Sequence, residues 1–238
     1  MITEYMDQGD LFAYLKKKQH GQSVALDVST VDVALVLAHA LADLHKQGII
    51  HRDVNSLNIF LSTTHYIRLG GFGSARAVDE LMTAGTGTEF WMAPEVLREG
   101  YDYEGQPYTI AADIYSFGVV LTELDTLKVP YEDVKERWSI EEKVRTGQLR
   151  PHMSDACPQW LKNLANQCLS FDPTKRPTAK AIIDVLLAHR NDDDRSPSDE
   201  ANITDELLAA VRNKDVIQTR HLCTKDFDPD VRDDVRAH

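Results

Sequence analysis

Long apolar runs are missing from this sequence. The two richest stretches, VDVALVLAHALADL and IAADIYSFGVVLTEL, are broken by Asp, His or Glu well short of the roughly 18 residues that a bilayer span needs, so no membrane partner is expected. The first fifteen residues carry Glu4, Asp7 and Asp10 with no preceding basic stretch, which does not describe a signal peptide. Positive charge is also scarce. Lys and Arg number 26 against 38 Asp and Glu, a net charge of -12 with a pI near 5.1. Nucleic-acid phosphates need the opposite sign on the protein surface, so no nucleic-acid partner is expected. Cysteine is rare: Cys157, Cys168 and Cys223 show no CxxC and no Cys/His metal spacing. They read as reduced thiols, which places the chain in the cytoplasm.

What is present suits a soluble globular protein. A hydrophobic fraction of 42% over 238 residues supports one large core or two modest ones. Acidity is uneven, since residues 191–238 hold thirteen Asp and Glu against seven Lys and Arg; that stretch reads as a separate unit.

Periodicity predicts a mainly helical chain with small β-hairpins. ITEYM has the look of a buried strand, and GDLFAYLKKK then opens a helix with Leu11, Phe12 and Leu15 on one side. From Asp32 to Gln47 the apolar positions recur at helical spacing, and Gly48 marks the C-terminal end. NIFLS and YIRLG, either side of STTH, predict a hairpin. Helices are expected over 113–127 and around 160–169 and 178–189, the last two separated by the turn FDPTKRP.

Between Gly48 and the helix at Asp113, polar residues fall in a fixed order. HRDVNSLN, then GGFG, WMAPE, DIYSFG and DPTKRP resemble, in register, the C-terminal lobe of a eukaryotic protein kinase, in wording closest to the tyrosine-kinase-like branch whose members mostly act on Ser and Thr. The spacings agree, with thirteen positions from Asn58 to Gly71 and twenty-two from Gly71 to Ala93. The resemblance covers about residues 1–190. It implies a kinase-like C-terminal lobe whose N-terminal lobe is missing apart from a hinge strand, and an ATP-dependent phosphorylation of a protein substrate with Mg²⁺.

By that resemblance Asp53 orients the substrate hydroxyl and accepts its proton, and Asn58 holds one Mg²⁺. Arg52 receives an activation-segment phosphate. Asp113 is similar to the aspartate that fixes the backbone of the HRD loop; as a bare sequence feature it reads as a helix N-cap. Glu95 and Arg176 resemble a buried ion pair that ties the activation segment to the lobe. Thr83 and Thr86 resemble phosphorylation sites, Thr88 the substrate-facing threonine; solvated loop threonines are the plain alternative. Thr3 to Met6 are similar to the gatekeeper and hinge, with backbone groups of Glu4 and Met6 bonding adenine, or else form an edge strand without ligand.

Three departures weaken the implied activity. Gly71 stands where the family places the DFG aspartate, the carboxylate that holds Mg²⁺ against the phosphates. Asn55 stands where Ser/Thr kinases carry a lysine beside the transferred phosphate. No G-x-G-x-x-G loop or strand lysine precedes the hinge, and GTGTEF at 85–90 lies in the activation segment and does not replace them. On this reading ATP and Mg²⁺ belong to the family and their binding here is impaired. Beyond the lobe, residues 191–201 read as an acidic linker, and residues 202–238 resemble part of a helical ankyrin-type repeat or a lone helical hairpin. The expectations are thus an impaired kinase-like domain that acts by binding protein, a truncated form of a working Ser/Thr kinase, or an adaptor built on ankyrin-like repeats.

Overall fold

The computed structural model describes residues 5–77, 89–97 and 109–193. Strand β1 (Gly9–Asp10) runs straight into helix α1 (Leu11–Gln19), because Asp10 serves both. It pairs with Phe60 in the sheet, and its carboxylate accepts from the Ala13 N–H at 2.8 Å as the helix N-cap. Leu11, Tyr14 and Leu15 are buried, whereas Phe12 is only half-buried. Helix α2 (Thr30–Lys46) begins at Ser29, whose hydroxyl accepts from the Asp32 N–H. It ends before Gly48, which has a φ of 70° and donates to the His45 carbonyl.

Strand β2 (Ile49–Ile50) follows, and strands β3 (Ile59–Ser62) and β4 (Tyr66–Leu69) form the expected hairpin, registered from Ile59 opposite Leu69 to Ser62 opposite Tyr66. The Ser62 hydroxyl closes its turn by accepting from the N–H groups of Thr64 and His65. A second pairing had no local sequence signal: β2 joins β5 (Arg76–Ala77), antiparallel, across the whole hairpin. These two pairings bring the turn at 70–75 beside the loop at 51–58.

Helix α3 (Ile110–Thr126) is the centre of the molecule. Every residue from Ala112 to Leu124 is buried, because α2 and α5 (Gln159–Cys168) pack on it and two loops cover what remains. Gly118 permits the contact with α5, since a Cβ there would lie 2.8 Å from the Cys168 Cβ and 3.0 Å from the Leu169 Cγ. The short helix α4 (Ile140–Arg145) precedes α5, and α6 (Ala179–Asp193) closes the bundle against α2. Trp160 of α5 stacks on His189 of α6 with ring centroids 4.4 Å apart. Cys157 and Cys168 are free and buried.

Two expectations are corrected. The buried strand expected at ITEYM is not formed at Tyr5 or Met6: Tyr5 is 83% exposed, and Met6 enters a turn in which its carbonyl accepts from the Gly9 N–H. The described residues offer that pair no partner strand; Thr3 and Glu4 lie outside them. Asp113 is not a helix N-cap. Thr109 caps α3 by accepting from Ala111, and Asp113 sits one turn inside with its carboxylate turned to the loop. Thr83, Thr86, Thr88, Cys223 and the segments 194–201 and 202–238 also lie outside the described residues. Among the described residues no helix is long and apolar enough to cross a membrane.

Candidate active site

The loop after β2 has its backbone held from beneath. The Asp113 carboxylate, buried in α3, accepts the His51 N–H on Oδ2 and the Arg52 N–H on Oδ1, both at 2.9 Å, and Oδ2 lies 2.8 Å from His45 Nε2. These bonds hold Arg52 at a φ of 67°, a left-handed conformation that costs a non-glycine residue about 1–2 kcal/mol.

His51 ties this loop to the next turn. Its Nδ1 accepts from the Asp53 N–H at 3.3 Å, so the ring proton resides on Nε2, which donates to the Gly70 carbonyl at 2.8 Å. Burial pushes the imidazole below its ordinary pKa, against the Asp113 charge and the Gly70 carbonyl, which both favour the protonated ring. The Phe72 ring sits edge-on to it at 5.1 Å.

Asp53 is held on both carboxylate oxygens by asparagine amides. Asn55 Nδ2 donates to Oδ1 and Asn58 Nδ2 to Oδ2, each at 2.8 Å, and both amides also reach the Asp53 carbonyl. Asn55 does more than fill the place of a lysine: its Oδ1 accepts from the Leu57 and Asn58 N–H groups and so caps the short 3₁₀ turn Ser56–Asn58. The structure therefore brings Arg52, Asp53, Asn55, Asn58 and Gly71 together around one turn.

Gly71 has a φ of 80°, and a Cβ added to it would lie 2.4 Å from Asn58 Cγ and 2.5 Å from both Asn58 terminal atoms. The space of a side chain at 71 is thus filled by the Asn58 amide. Two hydrogen bonds to Asp53 hold that amide, so it cannot swing aside freely. Substituting alanine for Gly71 is expected to cost about 2–5 kcal/mol, from left-handed strain of about 1–2 plus about 0.5–1.5 for each of the two bonds lost to Asp53. Chemical denaturation measures this, and a change within about 0.5 kcal/mol would show that the Asn58 amide relaxes at no cost. An aspartate at 71 meets the same obstacle before its carboxylate reaches any metal.

Among the described residues no group of three or more His, Cys, Asp or Glu side chains could hold a metal ion. Asn58 makes both of its bonds to Asp53 through Nδ2, which leaves Oδ1 as the atom that would meet a family Mg²⁺, while Gly71 adds no side-chain oxygen beside it. Glu95 and Arg176 meet in a bidentate pair, Nη1 to Oε1 at 2.6 Å and Nη2 to Oε2 at 2.8 Å. Glu4 lies outside the described residues, and the Met6 carbonyl is engaged by Gly9.

Three residues of this neighbourhood escaped the sequence reading. Glu123 of α3 receives Trp91 Nε1–H at 2.6 Å and lies 2.7 Å from the Ser56 hydroxyl. The available signal was a single acid inside the apolar run GVVLTEL.

The sequence profile of the protein kinase domain matches residues 1–187. The chain is 36% identical over 192 residues to the serine/threonine/tyrosine-protein kinase HT1 of Arabidopsis thaliana, covering 78% of this chain and 46% of that one. It is 34% identical over 200 residues to the serine/threonine-protein kinase STY17 of the same plant, covering 82% of this chain and 33% of that one. A probable LIM domain-containing serine/threonine-protein kinase of Dictyostelium discoideum, DDB_G0287001, is 34% identical over 187 residues, 78% of this chain and 27% of that one. The chain spans less than half the length of each of these relatives.

Proposed function

The chain belongs to the protein kinase domain family, and we propose that it is the C-terminal lobe of a Ser/Thr-type domain of the tyrosine-kinase-like branch that is impaired in phosphoryl transfer and acts by binding protein. In this reading residues 1–190 form the kinase-like unit, 191–201 a linker and 202–238 a helical segment of ankyrin-like character. The single observation that carries it is the Asn58 amide in the side-chain space of Gly71. The family uses that position to hold a hard cation by a carboxylate, and here neither the residue type nor the space provides one.

The protein-facing half retains a coherent arrangement. Asp53 is oriented by two amides and the His51–Asp113 framework, which suits a carboxylate that accepts a hydrogen bond from a substrate hydroxyl and aims its oxygen. Thr88 would face that substrate and Thr83 and Thr86 would take the regulatory phosphate beside Arg52. Adenine would bond the Glu4 and Met6 backbone; the Met6 carbonyl already accepts from the Gly9 N–H and keeps a second lone pair.

Full-length protein, from its native start to its native end, gives the test. Nucleotide binding is measured with and without Mg²⁺, and phosphate incorporation into a generic protein substrate is compared with the Asp53→Asn variant. The expected result is an affinity that Mg²⁺ does not raise and incorporation no greater than in the variant. Incorporation that drops about 10²–10⁴-fold on Asp53→Asn, the usual worth of a positioned proton acceptor, would establish the second reading, a working Ser/Thr kinase. The intact hold on Asp53 is the observation that favours that alternative.

A further inference from the structure

Helix α3 presents three buried polar side chains that reach other segments, Asp113, Ser116 and Glu123, along a mostly apolar length. Their spacing of three and then seven residues keeps them on one face. Asp113 holds one end of the 51–58 loop. The Ser116 hydroxyl donates to the Trp91 carbonyl at 2.7 Å. Glu123 reaches both partners at once: the Trp91 indole N–H donates to Oε2, and Oε1 lies 2.7 Å from the hydroxyl of Ser56 in the loop. Trp91 is therefore gripped at its backbone and at its ring, and Ser56 shares the second grip.

We propose that Glu123 is a positioning residue which, in its neutral form, clamps the 51–58 loop against the 89–97 segment and makes their relative position depend on pH. For its functional meaning this rests on the reading of 51–58 as the phosphoryl-transfer loop; for its geometry it does not. Burial, and not the bond count, favours the neutral form. The indole N–H donates to Oε2 and the Ser56 hydroxyl donates to Oε1, an arrangement that either form of the carboxyl accepts. In the ionised form both bonds persist, yet a full charge is left at a residue only 1% exposed, touched by Ser56 and Trp91, neither of which carries charge. Burial pushes the carboxyl up to about 8, outweighing the two hydrogen bonds that pull it down.

A carboxyl raised in the closed state favours that state at low pH and loses the advantage as pH rises from the unfolded value toward the folded one. The opening equilibrium of the clamp should rise by up to about tenfold per pH unit between about pH 5 and about pH 8 and then level off. Buried His51 acts in the opposite sense below its ordinary 6.5 and does so in wild type and variant alike.

The test is amide hydrogen exchange on the full chain from pH 5 to 9, corrected for intrinsic base catalysis, read at Ser56–Asn58 and Met92. Wild type should lose protection across that window. Glu123→Gln, which can accept from Trp91 and donate to Ser56 without titrating, should be flat once the His51 contribution is subtracted. Equal slopes in the two proteins would overturn the proposal. Should Glu123→Gln fail to fold, Ser56→Ala reads the same clamp: it removes a bond that lowers the Glu123 pKa, so the plateau must move to higher pH, and an unmoved plateau overturns the proposal. The readout requires no nucleotide, so an absence of phosphoryl transfer leaves it intact. If transfer is found, its pH profile should flatten in Glu123→Gln alongside the exchange profile.

Discussion

Truncation of Glu95 to alanine is expected to destabilise the protein by about 3–5 kcal/mol, the usual cost of stranding one partner of a buried ion pair. The Arg176 side chain is 0% exposed and that of Glu95 13%, so water cannot take over the lost contact. The guanidinium would keep its bonds to the Ala111 and Ser170 carbonyls and its place over the Tyr115 ring at 5.0 Å, but no counter-charge. Because native stabilities are about 5–15 kcal/mol, such a loss removes much of the margin. Denaturant unfolding of Glu95→Ala, Arg176→Met and the double variant forms the check, and the double variant should be distinctly more stable than the summed single losses predict. Additive losses would mean that the pair is not coupled and that Arg176 is held by the carbonyls alone.

Replacing Asp113 with alanine should cost about 2–6 kcal/mol, from about 1–3 for each of the two backbone N–H groups left buried without an acceptor. The loss has a local consequence as well. Without the carboxylate the two backbone bonds at His51 and Arg52 are lost, so the 51–53 backbone should relax and shift Asp53 relative to its two asparagine amides. Asp113→Asn is the milder case, since one amide oxygen serves one N–H while the amide nitrogen opposes the other. The expected order of stability is wild type, then Asn, then Ala, with exchange of the His51 and Arg52 amides accelerating in the same order. If both variants unfold at the wild-type midpoint, the carboxylate is not what holds the loop.

Much of this was legible beforehand in particular residues. The glycine at 48 marks a real helix end, because helix termination is a local matter of backbone conformation; Asp10 and Ser29 were not singled out, and the structure shows them as the N-caps of α1 and α2. The β3–β4 hairpin was likewise visible, since its partners lie a few residues apart. The pairing of β2 with β5 was not, because two-residue strands carry no period and Ile49 and Ile50 meet Ala77 and Arg76 across the whole intervening hairpin. Asp113 shows the limit of local pattern: an acid near a helix start suggests a cap, the family resemblance set it under the HRD loop, and the path of that loop sixty residues earlier shows which N–H groups its oxygens take.

The order of motifs, the helical periods and the identities Gly71 and Asn55 are properties of the linear chain, and they specify the family, the main helices and the absence of a carboxylate where a metal ligand is usual. How that absence is filled is a three-dimensional matter. The Asn58 amide occupies the Gly71 side-chain space because Asp53 draws it there, and Glu123 becomes a joint between two segments because α3 is covered on every side. Both outcomes depend on groups far apart in sequence competing for the same few ångströms, where a buried hydrogen bond or an unpaired charge is worth more than any local propensity.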